Sequence, residues 1–356
     1  MRRLAVINQK GGVGKTTTCA NLGAALALSG RRVVLVDMDA QANLTMSLNA
    51  DAPSDSPSTY TVLLGESTFG DALLATSIRE MRLLPANIDL SGAELELAAV
   101  MGRENLMRDA VGEWERAGRE RDGGRAPADY VLFDCPPSLG LLSINALAAA
   151  DEVLIAIQTE FLALQGMSKL VEILKLLRKR VNPRLEIAGI LPCLYDSRLK
   201  LAREVLAEIR KFFPGQVLAC PVRSNVKLAE APSFGKTIFE YAPDSNGAQD
   251  YIAAAREIAR GESKDADLSG FGPIGDLPAA SQAPRPPASS RREAAEDQEL
   301  STVVLIPSPP LAKSPDVGPA GEFAEKRAAR AEEKMGELPP LPSDAFEILE
   351  NYVRPA

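Results

Sequence analysis

The segment Asn8-Gln9-Lys10-Gly11-Gly12-Val13-Gly14-Lys15-Thr16-Thr17 decides the fold, because it joins a short apolar run to a helical pattern. Its glycines let backbone N–H groups turn toward a ligand, and the start of a helix adds positive potential. Lys15 is placed to reach phosphate groups, and the hydroxyl of Thr16 is placed to hold Mg²⁺. The segment therefore predicts a phosphate-binding loop between the first strand and the first helix.

This loop departs from the common phosphate-loop pattern. That pattern has glycine five residues before Gly14, where this sequence has Gln9, and the lysine at position 10 has no role in it. The alternative, a glycine-rich turn that binds no ligand, is disfavoured because composition, residue order and context all agree with phosphate binding. We therefore regard Lys10 as an informative departure.

Short apolar runs alternate with longer helical patterns over residues 1–261. The helical patterns include Thr16–Ser29 and Phe161–Val181. The runs predicted as buried strands are Leu4–Ile7, Val33–Val36, Tyr130–Phe133, Val153–Ile157, Ile187–Leu191 and Val217–Cys220. Such alternation predicts an α/β fold with a doubly wound, mostly parallel sheet and helices on both faces, as in P-loop NTPases.

Acidic residues follow two of these predicted strands. Asp37 and Asp39 follow the second strand, and Asp134 follows the third. Because the carboxyl ends of neighbouring parallel strands open onto one crevice, we expect these carboxylates to meet the bound phosphates. Asp134 is suited to hold Mg²⁺, partly through water, and Asp39 to position the attacking water or join the metal site. Asp37 either supports Mg²⁺ or Lys15, or only caps a turn.

Positive charge is concentrated in one part of the chain. Residues 170–240 contain 13 Lys+Arg against 7 Asp+Glu, although residues 1–261 together carry a net charge of only −1. A basic stripe of this kind binds the DNA backbone without reading sequence. On charge alone, a solvated basic face is an equally good interpretation.

The last 95 residues differ in composition from the rest. They contain 14 of the 26 prolines and 10 Lys+Arg against 17 Asp+Glu. We therefore expect a folded domain with the phosphate-binding loop at residues 1–261, followed by a disordered acidic linker at residues 262–342. Residues 343–356 predict a short amphipathic helix that either docks on a partner or is solvated without a role. Its apolar positions are Phe346, Ile348, Leu349, Tyr352 and Val353.

Several protein classes are excluded by composition. The longest nearly apolar run, Leu139–Ala150, is too short to span a bilayer, and the apolar run after Arg3 is too short for a signal peptide. The four cysteines form no CxxC pair, and the chain has no histidine, so neither a zinc site nor a disulfide framework is expected. These features predict a cytoplasmic protein.

The stretch KGGVGKTT at Lys10–Thr17 resembles the deviant Walker A loop of the ParA/MinD superfamily of P-loop ATPases. In that family the early lysine, here Lys10, reaches across a dimer interface to the partner's nucleotide. The resemblance implies an ATP-bound homodimer with ATP and Mg²⁺ as cofactors. It implies catalytic roles for Lys10, Lys15, Asp39 and Asp134. It implies nucleotide contacts from Lys10, Gly11, Gly12, Val13, Gly14, Lys15, Thr16 and Thr17.

Further stretches are similar to the ParA/Soj branch of that family. Asp37–Thr45 resembles its switch I and Phe133–Ser138 its switch II, although Ala40 and Ala42 stand where many members carry Pro and Gly. The stretches at 196–198 and 223–233 resemble a pattern whose basic residues bind nonspecific double-stranded DNA in the ATP dimer. The resulting DNA-binding candidates are Arg198, Arg223 and Lys227.

The function that this resemblance implies is ATP-dependent partitioning of a chromosome or plasmid. The ATP dimer coats nucleoid DNA, and a ParB-like centromere-binding partner stimulates its slow hydrolysis and releases it. A family member that positions a protein cluster instead is an equally good interpretation of the sequence. A MinD-like membrane ATPase is the alternative, disfavoured because anionic lipid would repel the acidic terminal helix. An iron–sulfur reductase is also disfavoured, since only Cys135 is predicted near the nucleotide crevice.

Overall fold

The computed structural model describes residues 1–160 and 163–260. The predicted linker at residues 262–342 and the predicted terminal helix at residues 343–356 lie outside this part of the chain. The first two residues of the predicted helix Phe161–Val181 lie outside it as well.

Seven strands form one sheet in the described part of the chain. They are β1 (Arg2–Ile7), β2 (Val33–Asp37), β3 (Leu74–Ala75), β4 (Met81–Leu84), β5 (Tyr130–Asp134), β6 (Glu152–Gln158) and β7 (Glu186–Cys193). Their order is β3-β4-β2-β5-β1-β6-β7, and every neighbouring pair is parallel except β3 with β4. This arrangement confirms the predicted mostly parallel, doubly wound sheet. Both strands that flank β1 are parallel to it, so their carboxyl ends open on the same edge.

Eleven α-helices surround the sheet within the same described ranges. They are α1 (Lys15–Leu28), α2 (Asn43–Ser47), α3 (Thr59–Leu64), α4 (Ala93–Glu96), α5 (Leu106–Arg121), α6 (Leu141–Ala149), α7 (Ala163–Arg180), α8 (Lys200–Phe212), α9 (Val226–Glu230), α10 (Ile238–Tyr241) and α11 (Asn246–Ala259). Short 3-10 helices cover Ile88–Ser91, Leu97–Ala99, Arg103–Asn105 and Ala231–Phe234. None of the described helices combines the length and the apolar character needed to cross a bilayer.

The sheet separates two apolar cores. Along β1, Ala5 and Ile7 pack into the core that contains residues of α5 to α8, whereas Leu4 and Val6 pack into the core that contains residues of α1 and α11. All four side chains are buried, as expected for a strand covered on both faces. This double burial explains why the strands read as continuous apolar runs rather than as alternating patterns.

The structure differs from the sequence-based prediction at both edges of the sheet. The predicted strand Val217–Cys220 is wrong, because only Val217 forms a β-bridge, to Ile190 of β7. The ladder does not continue, because Pro192 of β7 has no backbone N–H to donate across it, and the carbonyl of Pro192 accepts from the N–H of Val222 at 2.8 Å instead of from Cys220. At the other edge, the prediction missed β3 and β4.

Candidate nucleotide-binding site

The loop between β1 and α1 has the conformation that phosphate binding needs. Gly12 and Gly14 adopt φ values of 73° and 91°, in the left-handed region that favours glycine. Val13 between them is 1% exposed and packs into the core under α1. The side-chain amide of Asn8 donates to the carbonyl of Ala156 at 2.6 Å, which ties the loop to β6. The loop is therefore shaped by its own chain, without a ligand.

Lys15 and Asp134 place opposite charges beneath this loop. Lys15 is only 7% exposed, and its Nζ donates to the carbonyl of Lys10 at 3.1 Å. Asp134 ends β5 and is 1% exposed, and neither of its carboxylate oxygens accepts a hydrogen bond of good geometry within the described residues, although Thr16 and Lys15 lie near enough to stabilise its charge. A buried carboxylate without partners is costly, so its retention indicates a ligand that supplies them.

Burial changes the acidity of both groups. It raises the pKa of Asp134 well above its usual value, and the carboxylate of Asp37 raises it further, while Thr16 and Lys15 oppose the shift. Burial also lowers the pKa of Lys15, although the charge of Asp134 opposes that shift. Strongly shifted groups in a cleft are typical of functional sites. A cation beside Asp134 would remove the main cost of keeping its carboxylate ionised.

Asp37 is engaged in structural contacts. One carboxylate oxygen accepts the backbone N–H of Thr45 at 2.9 Å and its hydroxyl at 2.8 Å, and the other accepts the N–H of Asp39 at 3.1 Å. Burial raises the pKa of Asp37 to about 6, despite the opposing bonds from Thr45. Of the two roles predicted for Asp37, the geometry favours the capping of a turn, here the one that leads into α2.

A cleft of about 470 Å³ opens above the loop. Gly11, Gly12, Gly14, Lys15, Thr16, Thr17 and Asp39 line it. The opposite wall comes from segments late in the chain, represented by Cys193, Val222, Leu228 and Tyr251. The volume lies in the usual range for small-molecule sites. The structure thus brings the glycines, the two threonines, Lys15 and Asp39 together around one space, with Asp134 buried beneath.

Lys10 stands apart from this cleft. Its side chain is 54% exposed, and its Nζ contacts Glu160 Oε2 at 2.5 Å and Gln158 Oε1 at 3.0 Å. Both partners belong to the end of β6 and the residues that follow it. In this conformation Lys10 is bound within its own chain and does not line the phosphate cleft.

One part of the site was missed by the sequence reasoning. The hydroxyl of Tyr251, on α11, lies 3.1 Å from the hydroxyl of Thr18 on α1, and both residues are buried. Thr18 also lies 3.6 Å from the Sγ of Cys193. These contacts support α1 directly behind the phosphate loop. No local pattern could have revealed them, because Thr18 and Tyr251 are 233 residues apart in sequence.

Switch I contains a strained residue. Ala42 precedes α2 in the left-handed conformation, with φ 52° and ψ 32°. A side chain in this conformation costs about 1–2 kcal/mol.

We predict that Ala42→Gly stabilises the protein, because glycine adopts this conformation without a steric cost. The relieved strain of about 1–2 kcal/mol is partly offset by the greater freedom that glycine gives the unfolded chain, so the expected net gain is about 0.5–1 kcal/mol in the free energy of unfolding. Calorimetry or denaturant unfolding without nucleotide measures it. Ala40→Gly is the matched control, since Ala40 has no positive φ, and it should leave stability unchanged or lower it. Equal effects of the two variants would contradict the assignment of strain to Ala42.

The three DNA-binding candidates lie on neighbouring segments. A parallel β-bridge joins Tyr195 to Arg223, and it brings the loop of Arg198 beside the segment that leads to Lys227. Arg198 is 88% exposed and pairs with Asp196 at 2.7 Å, and Lys227 is 52% exposed and pairs with Glu230 at 2.9 Å. These exposed pairs are weak and can be exchanged for phosphate contacts.

Arg223 differs from the other two candidates. Its guanidinium contacts the carboxylate of Asp250 at 2.6 Å, and Asp250 is 1% exposed. Its backbone N–H donates to the same carboxylate at 2.9 Å. A buried partner of this kind makes Arg223 an anchor of the segment, with less of its guanidinium available for phosphate.

Comparisons with known proteins agree with this geometry. A family model described as "AAA domain" matches residues 1–187. The sporulation initiation inhibitor protein Soj of Bacillus subtilis is 41% identical over 256 residues, which is 72% of this chain and 97% of the relative. The chromosome partitioning protein ParA of Caulobacter vibrioides is 42% identical over 258 residues, 72% of this chain and 94% of the relative.

A solved structure is similar as well. The crystal structure of cobyrinic acid a,c-diamide synthase from Mycobacterium smegmatis, with bound ATP analog and magnesium, is 39% identical. It matches with a TM-score of 0.61 and covers 75% of this chain and 98% of its own.

Proposed function

Because the chain belongs to the ParA/Soj family of P-loop partition ATPases, we propose that its ATP-bound form is a homodimer that binds double-stranded DNA without sequence preference. The chain is an ATPase whose cofactors are ATP and Mg²⁺. The observation that carries the nucleotide-dependent part of this proposal is the buried carboxylate of Asp134 beneath the loop, which lacks a hydrogen bond of good geometry in the described residues and lies near Lys15 and Thr16.

The residues present fit a bound Mg²⁺. Asp134 offers two free carboxylate oxygens, and Thr16 offers a hydroxyl at the start of α1. Oxygen donors of this kind suit Mg²⁺, which would neutralise charge on the transferring phosphoryl group. Lys15 would hold the phosphates from the cleft side, and Asp39, at the carboxyl end of β2, would orient the attacking water.

Lys10 is proposed to complete the site of a second subunit. Its exposed position and its weak pair with Glu160 leave it able to change partner when two loops face each other. In the dimer its ammonium group would exchange Glu160 for the other subunit's nucleotide. The approach of two loops is sterically easy at Gly11, where a Cβ would meet nothing of its own chain within 4 Å.

DNA release is the proposed output of hydrolysis. Arg198 and Lys227 would contact phosphates in the dimer, and a ParB-like partner would stimulate a slow intrinsic hydrolysis that ends this contact. The protein would then act in the cytoplasm on the nucleoid, with a chromosome, a plasmid or a protein cluster as cargo. The segment that distinguishes a MinD-like membrane function, residues 343–356, lies outside the described chain.

DNA binding measured with ATP, with ADP and without nucleotide tests this function. We expect retention of a random-sequence duplex only with ATP, with an affinity that falls steeply as salt rises, because phosphate contacts release counterions. Liposome co-sedimentation under the same conditions is the comparison. ATP-dependent lipid binding without DNA binding would overturn the proposal in favour of the membrane alternative.

We predict that Arg198→Glu lowers DNA affinity while ATP-driven dimerisation persists. One phosphate contact is lost and a repulsive charge is added, so we expect a loss of about 10-fold or more at moderate salt and a shallower salt dependence. Arg116→Glu is the matched control, because Arg116 is exposed on α5, away from the candidate surface. Equal DNA retention by Arg198→Glu and the parent protein at low salt would refute the assignment of Arg198 to a DNA-binding surface.

A further inference from the structure

A larger cavity lies away from the nucleotide. It has a volume of about 1090 Å³, and none of its lining residues lines the nucleotide cleft. One wall is a stripe along α5 formed by Leu106, Ala110, Trp114 and Ala117, which recur at helical spacing. The other wall is the segment 62–71, from within α3 to the loop that follows it. We call this cavity the α5 groove.

The floor of the α5 groove is aromatic. The rings of Trp114 and Phe69 pack with centroids 5.0 Å apart at an angle of 44°. A Cβ on Gly70 would come within 3.0 Å of Trp114 Cδ1, so glycine lets the loop lie against the indole ring. Trp114 is half-buried and lines the groove. A large aromatic ring in such a position, with an apolar face and a polar N–H, is suited to anchor a ligand.

The rim of the α5 groove is acidic. Five acidic residues line it against two basic ones, Arg82 and Arg121. The acidic residues are Glu66, Asp71, Asp109, Glu113 and Glu120. Glu113 and Glu120 are seven residues apart on α5, so they lie on the same side of the helix as each other, at the edge of the apolar stripe, and neither forms an ion pair within the described ranges. An apolar floor inside an acidic rim selects a ligand with an apolar stripe and a positively charged face.

We propose that the α5 groove docks a basic amphipathic helix of another protein. The 16 residues of α5 give a wall about 24 Å long, which matches roughly four turns of a docked helix. Apolar residues of that helix cover Trp114 and Ala110, while its lysines and arginines pair with Glu113 and Glu120. Helix-in-groove recognition works in this way, through anchors spaced by three or four residues.

Charge argues against the chain's own C-terminal segment as the occupant. The apolar residues of the predicted terminal helix are accompanied by Asp344, Glu347 and Glu350. These carboxylates would face the acidic rim and be repelled by it. The occupant that matches both the apolar floor and the sign of the rim is therefore a separate, basic helix.

The intrinsic fluorescence of Trp114 reports on binding in the α5 groove without an added label, because Trp114 is the only tryptophan of the chain. The probe is a 15-residue helical peptide with leucine at every third or fourth position and lysine elsewhere. The control peptide carries glutamate in place of lysine. With the full-length protein, we expect the lysine peptide to shift the emission of Trp114 saturably and the glutamate peptide to leave it unchanged.

Charge-reversal variants distinguish peptide binding in the α5 groove from a nonspecific attraction of the lysine peptide to an acidic protein. Glu113→Lys with Glu120→Lys should weaken the lysine peptide roughly tenfold, because both changes remove attraction and add repulsion at the rim. Glu204→Lys with Asp244→Lys, at exposed positions elsewhere, should leave its affinity within about twofold. ATP binding by each variant verifies that it is folded.

Several outcomes would overturn the proposal. One is equal weakening by the two charge-reversal variants, and another is peptide binding that does not alter Trp114 emission. Self-association that Glu113→Lys abolishes would assign the groove to a second copy of the chain. A change in Trp114 emission in the full-length variant with Phe346→Ala and Tyr352→Ala, without peptide, would assign it to the C-terminal segment.

Discussion

Lys15→Ala should abolish nucleotide binding. The ammonium group of Lys15 is buried beneath the loop and faces the position of the phosphates, so its removal takes away a desolvated charge contact with the nucleotide. Loss of one partner of a buried, hydrogen-bonded charge pair costs about 3–5 kcal/mol of binding free energy. That range corresponds to a loss of roughly 10²- to 10⁴-fold in affinity. Equilibrium binding of a fluorescent ATP analogue in the presence of Mg²⁺ measures it.

The matched control for this prediction is Lys236→Ala. Lys236 is exposed and lies outside the cleft, so its removal should leave nucleotide affinity unchanged. Circular dichroism melting verifies that Lys15→Ala is folded. Nucleotide affinity within threefold of the parent protein, in a folded Lys15→Ala variant, would refute the assignment of the cleft.

Lys10→Ala should weaken ATP-driven dimerisation and leave ATP binding by a single subunit nearly unchanged. Lys10 lies outside the cleft of its own chain, so a single subunit should bind ATP nearly as well without it. The dimer, by contrast, would lose one charged contact at each of its two nucleotides. With about 1.5–3 kcal/mol for each hydrogen bond to a charged group, dimer affinity should fall by at least 10²-fold. Sedimentation with a hydrolysis-resistant ATP analogue measures the dimer population.

Glu160→Gln provides the complementary variant. It removes the carboxylate that holds Lys10 within its own chain, while the hydrogen bond from Lys10 to Gln158 can remain. An exposed ion pair is worth about 0–1 kcal/mol, so ATP-driven dimerisation should be equal to or slightly stronger than that of the parent. Dimerisation of Lys10→Ala with the same affinity as the parent protein would contradict the proposed contact between Lys10 and the other subunit's nucleotide.

The sequence predicted the parts of the fold that local patterns determine. The strands at Leu4, Val33 and Tyr130 are buried on both faces, so they appear as uninterrupted apolar runs. β4 was missed because it has only four residues and places Arg82 in the α5 groove, so its apolar pattern is interrupted. At Val217 the apolar pattern was typical of a strand, but the segment pairs beside Pro192 of β7, which lacks the backbone N–H that would continue the ladder.

The candidate site shows the same division. The loop, Asp39 and Asp134 could be predicted because parallel strands bring their carboxyl ends to one edge. Two other features could not be predicted, because they depend on which side chains meet after folding. They are the lack of a good hydrogen bond to Asp134 and the ion pair of Lys10 with Glu160. The Asp250 partner of Arg223 was equally hidden, since 27 residues separate the two positions.

The contact between Tyr251 and Thr18 has a consequence for biosynthesis. The phosphate loop leaves the ribosome well before the helix that supports it, because Thr18 behind the loop contacts Tyr251 of α11, 233 residues later in the chain. A nascent chain that stops short of α11 therefore presents a complete nucleotide signature without the packing that holds it in place. We expect the growing polypeptide to acquire nucleotide affinity only after α11 has emerged, so that a segment made early becomes competent only when one made much later has been added.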